Sequence, residues 1–200
     1  MNSIVRQRRY DVRPFTDLFL QTPRLHLRPL RAADAESLFG IYSDAEFMRY
    51  WSAPPWSSLS QARDLIERDL KELALGEHLR LGIFLNETNL LVGTSSLFNF
   101  NEPSRRAELG YGIARTHWRR GYMSEGVGAV INFAFEDLGL NRLEADIDPR
   151  NIASAASLEK LGFKREGLLR ERWIVGSEVS DSALYGLLAR EWSSSGRSAA

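Results

Sequence analysis

The sequence contains no cysteine. That excludes disulfides, thiolate metal sites and a cysteine nucleophile, so any acyl transfer must proceed without an acyl-cysteine intermediate. Histidine is nearly as scarce. His26, His78 and His117 stand far apart without metal-ligand spacing, and no metal is expected. Net charge is missing too. The 26 basic and 26 acidic residues cancel, which removes the strong positive field that non-specific nucleic-acid binding needs. No apolar run approaches the length that spans a membrane. Arg6, Arg8, Arg9 and Asp11 interrupt the N-terminus where a signal peptide would carry its apolar core. The expectation is a cytoplasmic enzyme, with neither nucleic acid nor membrane as partner.

What is present is an ordinary globular mixture, 44% hydrophobic and 26% charged, in 200 residues. That length fits one domain with a substantial core. Residues 1–21 read as an N-terminal extension, 22–192 as a single domain and 193–200 as a tail. Phe15, Leu18, Phe19 and Leu20 give the extension apolar side chains for docking on the body; a tethered arm is the alternative.

TPRLHLRPL (22–30) alternates around Leu25, Leu27 and Leu30 and predicts a strand. Asp34 is placed to cap a helix through Tyr42, and Ser60 to precede a second whose Leu65, Ile66, Leu70 and Leu73 recur at helical spacing. Between them YWSAPPWSS (50–58) holds two adjacent prolines and forms no regular element. Three strand-like runs follow, at 79–85, 90–100 and 107–114, with turn signals that suit antiparallel neighbours. Met123, Val127, Val130, Ile131, Ala134 and Leu138 then share one helical face, and Gly139 stands where a C-terminal cap would. RLEADID (142–148) reads as a strand, Asn151 opens a short helix ended by Gly162, and residues 163–189 read as a hairpin turning at Gly176 and Ser177. Helices thus interrupt a mostly antiparallel sheet, with a parallel crossover open between 107–114 and 142–148.

The stretch HWRRGYMSEGVG (117–128) lies between a strand and a helix. Free N–H groups and the helix dipole favour an anion there. Gly121 lets a phosphate approach the backbone, and Arg119 and Arg120 add charge. A solvated basic turn is the alternative. Familiar nucleotide loops fit poorly, because Val127 and Gly128 replace the Lys and Ser/Thr of a Walker A motif. NIASAASLEKLGF (151–163), alone, is an asparagine-capped helix with a glycine stop.

Together the two stretches, with TPRLHLRPL, AELGYGI and the REG after the second, resemble the GNAT superfamily of acyl-CoA N-acyltransferases. The likeness is to its Rim-type branch, which acetylates N-termini of ribosomal proteins. It covers residues 22 to 192 in the family's order and spacing. The resemblance implies an α+β fold: a mostly antiparallel twisted sheet of about seven strands, splayed between 107–114 and 142–148, with about four flanking helices. It implies acetyl-CoA as co-substrate and an acceptor that is a protein N-terminus or a small amine, in a monomer or homodimer. Trp118, Arg119, Arg120, Gly121, Tyr122, Met123 and Ser124 would surround the coenzyme A pyrophosphate, mostly through backbone N–H groups. Gly112, Ile113 and Ala114 would pair with the pantetheine arm, Asn151 would contact it, and Ser154 and Ser157 would lie alongside. Met123 and Gly126 depart from the family's small residue and alanine at those places. Trp118 replaces the Gln or Arg of the wider superfamily.

An amine attacks a thioester only when neutral. For an α-amine of pKa about 8 roughly a tenth is neutral at pH 7; for lysine, pKa about 10.4, a few parts in ten thousand. A protein N-terminus therefore asks less of the catalyst. The resemblance offers Glu108 as general base, with a surface glutamate paired to an arginine as the alternative. It offers Ser154 as proton donor to the leaving thiolate, and Tyr185 stands in reserve. A backbone N–H near Gly112 or Ile113 is placed for the oxyanion. Trp51 and Trp56 are the candidates to wall the acceptor channel, or else to plug the core beneath a rigid loop. A small-amine acetyltransferase and a non-catalytic acyl-CoA sensor are the competing functions.

Overall fold

The computed structural model of the chain describes residues 15–195. Leu20–Gln21 (β1) and Leu25–Pro29 (β2) open the sheet, followed by helices Ala35–Tyr42 (α1), Ala45–Met48 (α2) and Leu59–Leu75 (α3). Strands Leu79–Leu85 (β3), Leu91–Asn101 (β4) and Arg106–Ile113 (β5) come next, then Tyr122–Asn132 (α4), Arg142–Ile147 (β6) and Ile152–Lys160 (α5). Lys164–Val175 (β7), Glu178–Leu188 (β8) and Ala189–Ser195 (α6) complete the described chain. The eight strands form one sheet in the order β1-β2-β3-β4-β5-β6-β8-β7.

One junction in this sheet differs from the rest. β5 and β6 run parallel and pair only from Arg106 to Glu108 against Arg142 to Glu144. β5 continues to Ile113 and β6 to Ile147, so the two strands diverge and leave a slot. All other neighbours are antiparallel. The splay expected from the family resemblance is therefore present. The extra strand beyond the expected seven is the two-residue β1.

Alternation explains how the layers are held. β2 buries Leu25 and Leu27 and leaves His26 and Arg28 half-buried. In α4 Val127, Val130 and Ile131 are essentially water-free, each burial worth roughly 1.5–3 kcal/mol. They join the larger core cluster, whereas α1 and α2 pack in a second one with Phe84 and Leu91.

Several boundaries differ from those the sequence suggested. Asp34 sits at the N-cap of α1, but its carboxylate makes no capping bond. It instead takes both guanidinium branches of Arg28 at 2.8 and 3.0 Å and the Arg31 N–H at 2.7 Å. A bidentate ionic pair outcompetes a neutral cap. Ser58, not Ser60, caps α3: its hydroxyl accepts from the Ser60 N–H at 3.2 Å while the Gln61 amide oxygen accepts the Ser58 N–H at 3.1 Å. The four-residue α2 was not expected, and the long helix after the loop passes into a π turn at Phe133–Asp137.

The folded body also begins upstream of residue 22. Phe15 is buried, stacks 6.2 Å from Phe100, and its N–H donates to the Leu73 carbonyl at 3.0 Å. Leu18 and Leu20 pack on the same core, while Phe19 stays exposed against His26. The arginines of the extension at 6, 8, 9 and 13 lie outside the described residues. Among the described residues no helix is long and apolar enough to cross a membrane.

Candidate active site

After Ile113 the chain makes a short turn at Arg115–His117, and the Trp118 indole N–H donates to the Ile113 carbonyl at 2.5 Å. Arg119 then adopts φ +60° and Gly121 φ +80°. A left-handed conformation costs a non-glycine residue about 1–3 kcal/mol, a strain that Arg119 bears, while Gly121 adopts it freely. The result is an abrupt entry into α4. Its first ladder bond runs from the Glu125 N–H to the Gly121 carbonyl at 3.2 Å. The N–H groups of Tyr122, Met123 and Ser124 precede that ladder, and Gly121 has no side chain to cap them. Arg119 and Arg120 form no ion pair among the described residues. This is a positively polarised cradle open to an anion.

Glu125 fixes the cradle to the start of β2. Its carboxylate accepts the Thr22 hydroxyl at 2.7 Å, the Arg24 N–H at 2.8 Å and the Arg24 Nε at 2.6 Å. Arg24 also reaches the Arg120 carbonyl at 2.9 Å and lies over the Tyr122 ring. Burial opposes the charge on Glu125, but Thr22 and Arg24 together outweigh it and hold the carboxyl below its usual range. The sequence reading missed this strut. Its signal was an acidic residue in the first helical turn, where the dipole favours it.

The slot lies between β5 and β6. A side chain on Gly112 would sit 2.7 Å from Phe47 and 2.9 Å from Trp51, so both rings press directly on the strand. Across the gap Asn151 caps α5, its Oδ1 accepting the Ser154 N–H at 3.0 Å. The Ser154 hydroxyl in turn meets the Tyr111 hydroxyl at 2.8 Å. Burial pushes the Tyr111 phenol up to about 12, against the lowering effect of Ser154.

The slot opens into a cleft of about 590 Å³. Glu108, Tyr111, Asn151 and Ser154 line it, with Trp51 and Tyr50 on one side and Trp173 on the other. Its arginines are occupied. Arg80 holds Asp69 at 2.7 Å, Arg150 holds Asp148 and Glu178 at 2.5 Å each, and Arg172 lies 3.4 Å from Asp146. The side-chain bond from Arg150 outweighs burial and keeps the Asp148 carboxyl below its usual range. Glu108 is different. Its carboxylate accepts the Asn99 amide at 3.0 Å and has no ion pair among the described residues, so it is not the arginine-paired surface glutamate of the alternative reading.

Residues 24–164 match the acetyltransferase (GNAT) domain. The chain belongs to the GNAT acetyltransferase family. It is 37% identical over 174 residues to a Bacillus licheniformis protein named "Uncharacterized N-acetyltransferase p20", covering 86% of this chain and 97% of that one. It is 26% identical over 181 residues to the [ribosomal protein uS5]-alanine N-acetyltransferase of Escherichia coli, covering 86% and 92%. Its fold superposes on the crystal structure of a GNAT-family acetyltransferase from Bacillus anthracis with a TM-score of 0.78 at 25% identity, covering 87% of this chain and all of that one. Acetyl-CoA is the co-substrate of GNAT acetyltransferases.

Within this GNAT domain the expected site residues fall into two groups. Gly112, Ile113 and the 118–124 loop line up along β5 and the start of α4, and Asn151, Ser154 and Ser157 lie on or at the start of α5. The Ala114 N–H is taken by the Val92 carbonyl at 2.8 Å, so Ala114 offers only its carbonyl. Met123 packs half-buried on the larger core, and a side chain added to the buried Gly126 would lie 3.4 Å from Ile83, an ordinary van der Waals contact. Glu108 and Trp51 join Asn151 and Ser154 in the cleft.

Two candidates do not line the cleft. Trp56 is a plug: its ring stacks on Tyr42 at 4.5 Å and its backbone N–H donates to the Tyr42 carbonyl at 2.9 Å. Tyr185 is buried on β8 opposite Ala145, its hydroxyl 3.5 Å from Glu159 and its pKa raised by burial and that carboxylate. The hydroxyl beside Ser154 belongs to Tyr111, because the two strands diverge at that level and β5 faces α5. One cluster of ligand-type residues was also not expected. Donor atoms of Asp69, Glu72 and His78 lie within 4.8 Å of one another. Arg80 engages both Asp69 oxygens at 2.7 and 2.8 Å, which makes the group an ion-pair network.

Proposed function

We propose that this acetyltransferase acts in the cytoplasm on the α-amine of a protein or peptide N-terminus, of the ribosomal-protein type. Glu108 carries the reading. Three of the cleft's four carboxylates are held by arginines, and Glu108 is held only by an amide. One free carboxylate suits one amine. A polyamine, with several charges, asks for several. The Escherichia coli relative named for alanine N-acetylation of a ribosomal protein supports the same substrate class.

In this reading acetyl-CoA supplies an activated acetyl carbonyl. The N–H groups of 121–124, with Arg119 and Arg120, bind its pyrophosphate, and the free edge of β5 from Gly110 takes the pantetheine arm as another strand. Asn151 Oδ1 is engaged by Ser154, so its amide N–H₂ remains to donate. The amine enters past Trp51 and gives its proton to Glu108, directly or through water. As nitrogen attacks, negative charge on the carbonyl oxygen is met by a β5 backbone N–H, and Ser154 meets the departing sulfur.

The test is thiol release from acetyl-CoA with a panel of amines: peptides with free N-termini, N-blocked lysine peptides, spermidine and an aminoglycoside. Turnover with free N-termini alone is expected. Turnover with spermidine or the aminoglycoside overturns the acceptor assignment, and binding of acetyl-CoA without turnover on any amine makes the protein a sensor.

A further inference from the structure

Tyr111 and Ser154 are 43 residues apart in sequence and 2.8 Å apart in space. They stand on opposite sides of the slot. Tyr111 is on β5 beyond the last residue paired with β6, and Ser154 is on the helix that follows β6. The phenol oxygen lies farther, 3.3 Å, from the Ser154 carbonyl. A phenol is the stronger acid of the two hydroxyls, so its proton goes to the nearer acceptor, Ser154 Oγ. The serine then keeps its own proton for another partner. Its backbone is fixed as well, because the Ser154 N–H is held by Asn151. What is left free is one O–H vector, and both residues border the cleft.

We infer that Tyr111 is a positioning residue: it turns the Ser154 hydroxyl into the slot as the hydrogen-bond donor to the departing thiolate sulfur. The inference rests on the acetyl-CoA reading above. In the step concerned the C–N bond forms, the C–S bond breaks and the electron pair leaves with sulfur. Ser154 stabilises that charge through its O–H. The proton that finally makes the free thiol is the one lost by the attacking nitrogen, passed through Glu108 and solvent, so serine ends the cycle unchanged. Burial keeps the phenol protonated throughout the working pH range.

Tyr111→Phe removes one oxygen and keeps the ring. Steady-state turnover of acetyl-CoA with the best acceptor of the amine panel is expected to show kcat down about five- to tenfold, the rate equivalent of one hydrogen bond. KM for acetyl-CoA should stay within about twofold, since the oxygen lost is read only as sulfur departs. Ser154→Ala is expected to cause a similar fall, and the two together no more than Ser154→Ala alone. An unchanged kcat in Tyr111→Phe, or falls that multiply in the double variant, overturns the inference. If Tyr111→Phe also lowers the thermal midpoint, the double variant still decides, because a packing defect would multiply with Ser154→Ala. Wild-type protein that releases no thiol with any amine sinks the acetyl-transfer reading instead.

Discussion

At the residue scale the decisive side chain is Glu108, because its neighbours differ from those of every other carboxylate in the cleft. Read as the base, it matters most where neutral amine is scarce. Glu108→Gln keeps the shape and an acceptor for Asn99. It is expected to lower kcat/KM for a peptide N-terminus by about a hundredfold near pH 6.5 and by less near pH 9, where most of an α-amine of pKa about 8 is already neutral. A pH–rate profile parallel to that of the wild type removes Glu108 from catalysis. Glu108 was reached through the family resemblance, which places a carboxylate in the strand beside the slot. Tyr111 was not, since its role depends on a partner 43 residues away. Trp51 and Trp56 look alike in sequence and both pack on Tyr42; only the press of Trp51 on Gly112 at the cleft wall separates them.

At the scale of elements, α4 is the part that must be placed most accurately, and Glu125 places it. One carboxylate collects three donors from Thr22 and Arg24 and so ties the anion cradle to β2, about a hundred residues earlier. Glu125→Ala is expected to raise KM for acetyl-CoA about tenfold with kcat little changed, and to cost about 1–2 kcal/mol of stability, allowing for the exposure of Arg24. Isothermal titration with coenzyme A and thermal unfolding check the two parts; an unaltered affinity would show that the strut is structural only. The helices themselves were largely legible, since α5 carries an asparagine cap and a glycine stop and α4 a periodic apolar face. The start of α3 was misplaced at Ser60, although its signal was in the sequence: Ser58 with Gln61 three residues on is a capping box, which Ser60 lacks. α2 was not legible. Its four residues are held by the Asp44 cap and by Phe47 in the second core cluster, a tertiary contact without periodicity.

At the scale of the whole molecule, the mostly antiparallel sheet and its one parallel crossover followed from strand and helix order, and the slot from the family resemblance, but the charge network between layers did not. His78 shows what that network does to stability. Its ring stacks on Phe98 at 5.6 Å, its Nε2 is buried without a partner among the described residues, and Glu72 lies 3.6 Å from Nδ1. Burial, then Arg80 and Arg68, push its pKa down to about 4 from 6.5. The folded protein thus binds this proton less readily than the unfolded chain does. The neutral ring contributes stability that is fully present above pH 6.5 and is lost as pH falls towards 4. That lowering, discounted for the ring's remaining exposure, corresponds to about 1–2 kcal/mol. Lowered carboxyls such as Glu125 and Asp148 lose their contributions mostly below that window. His78→Phe keeps the stack on Phe98 and removes the titration. Chemical denaturation at pH 7 and pH 4.5 should therefore show a smaller loss of unfolding free energy for His78→Phe than for wild type, by about 1–2 kcal/mol. Equal losses in both proteins would mean that the imidazole gains a proton in the folded state as easily as in the unfolded chain, with Glu72 compensating the two arginines.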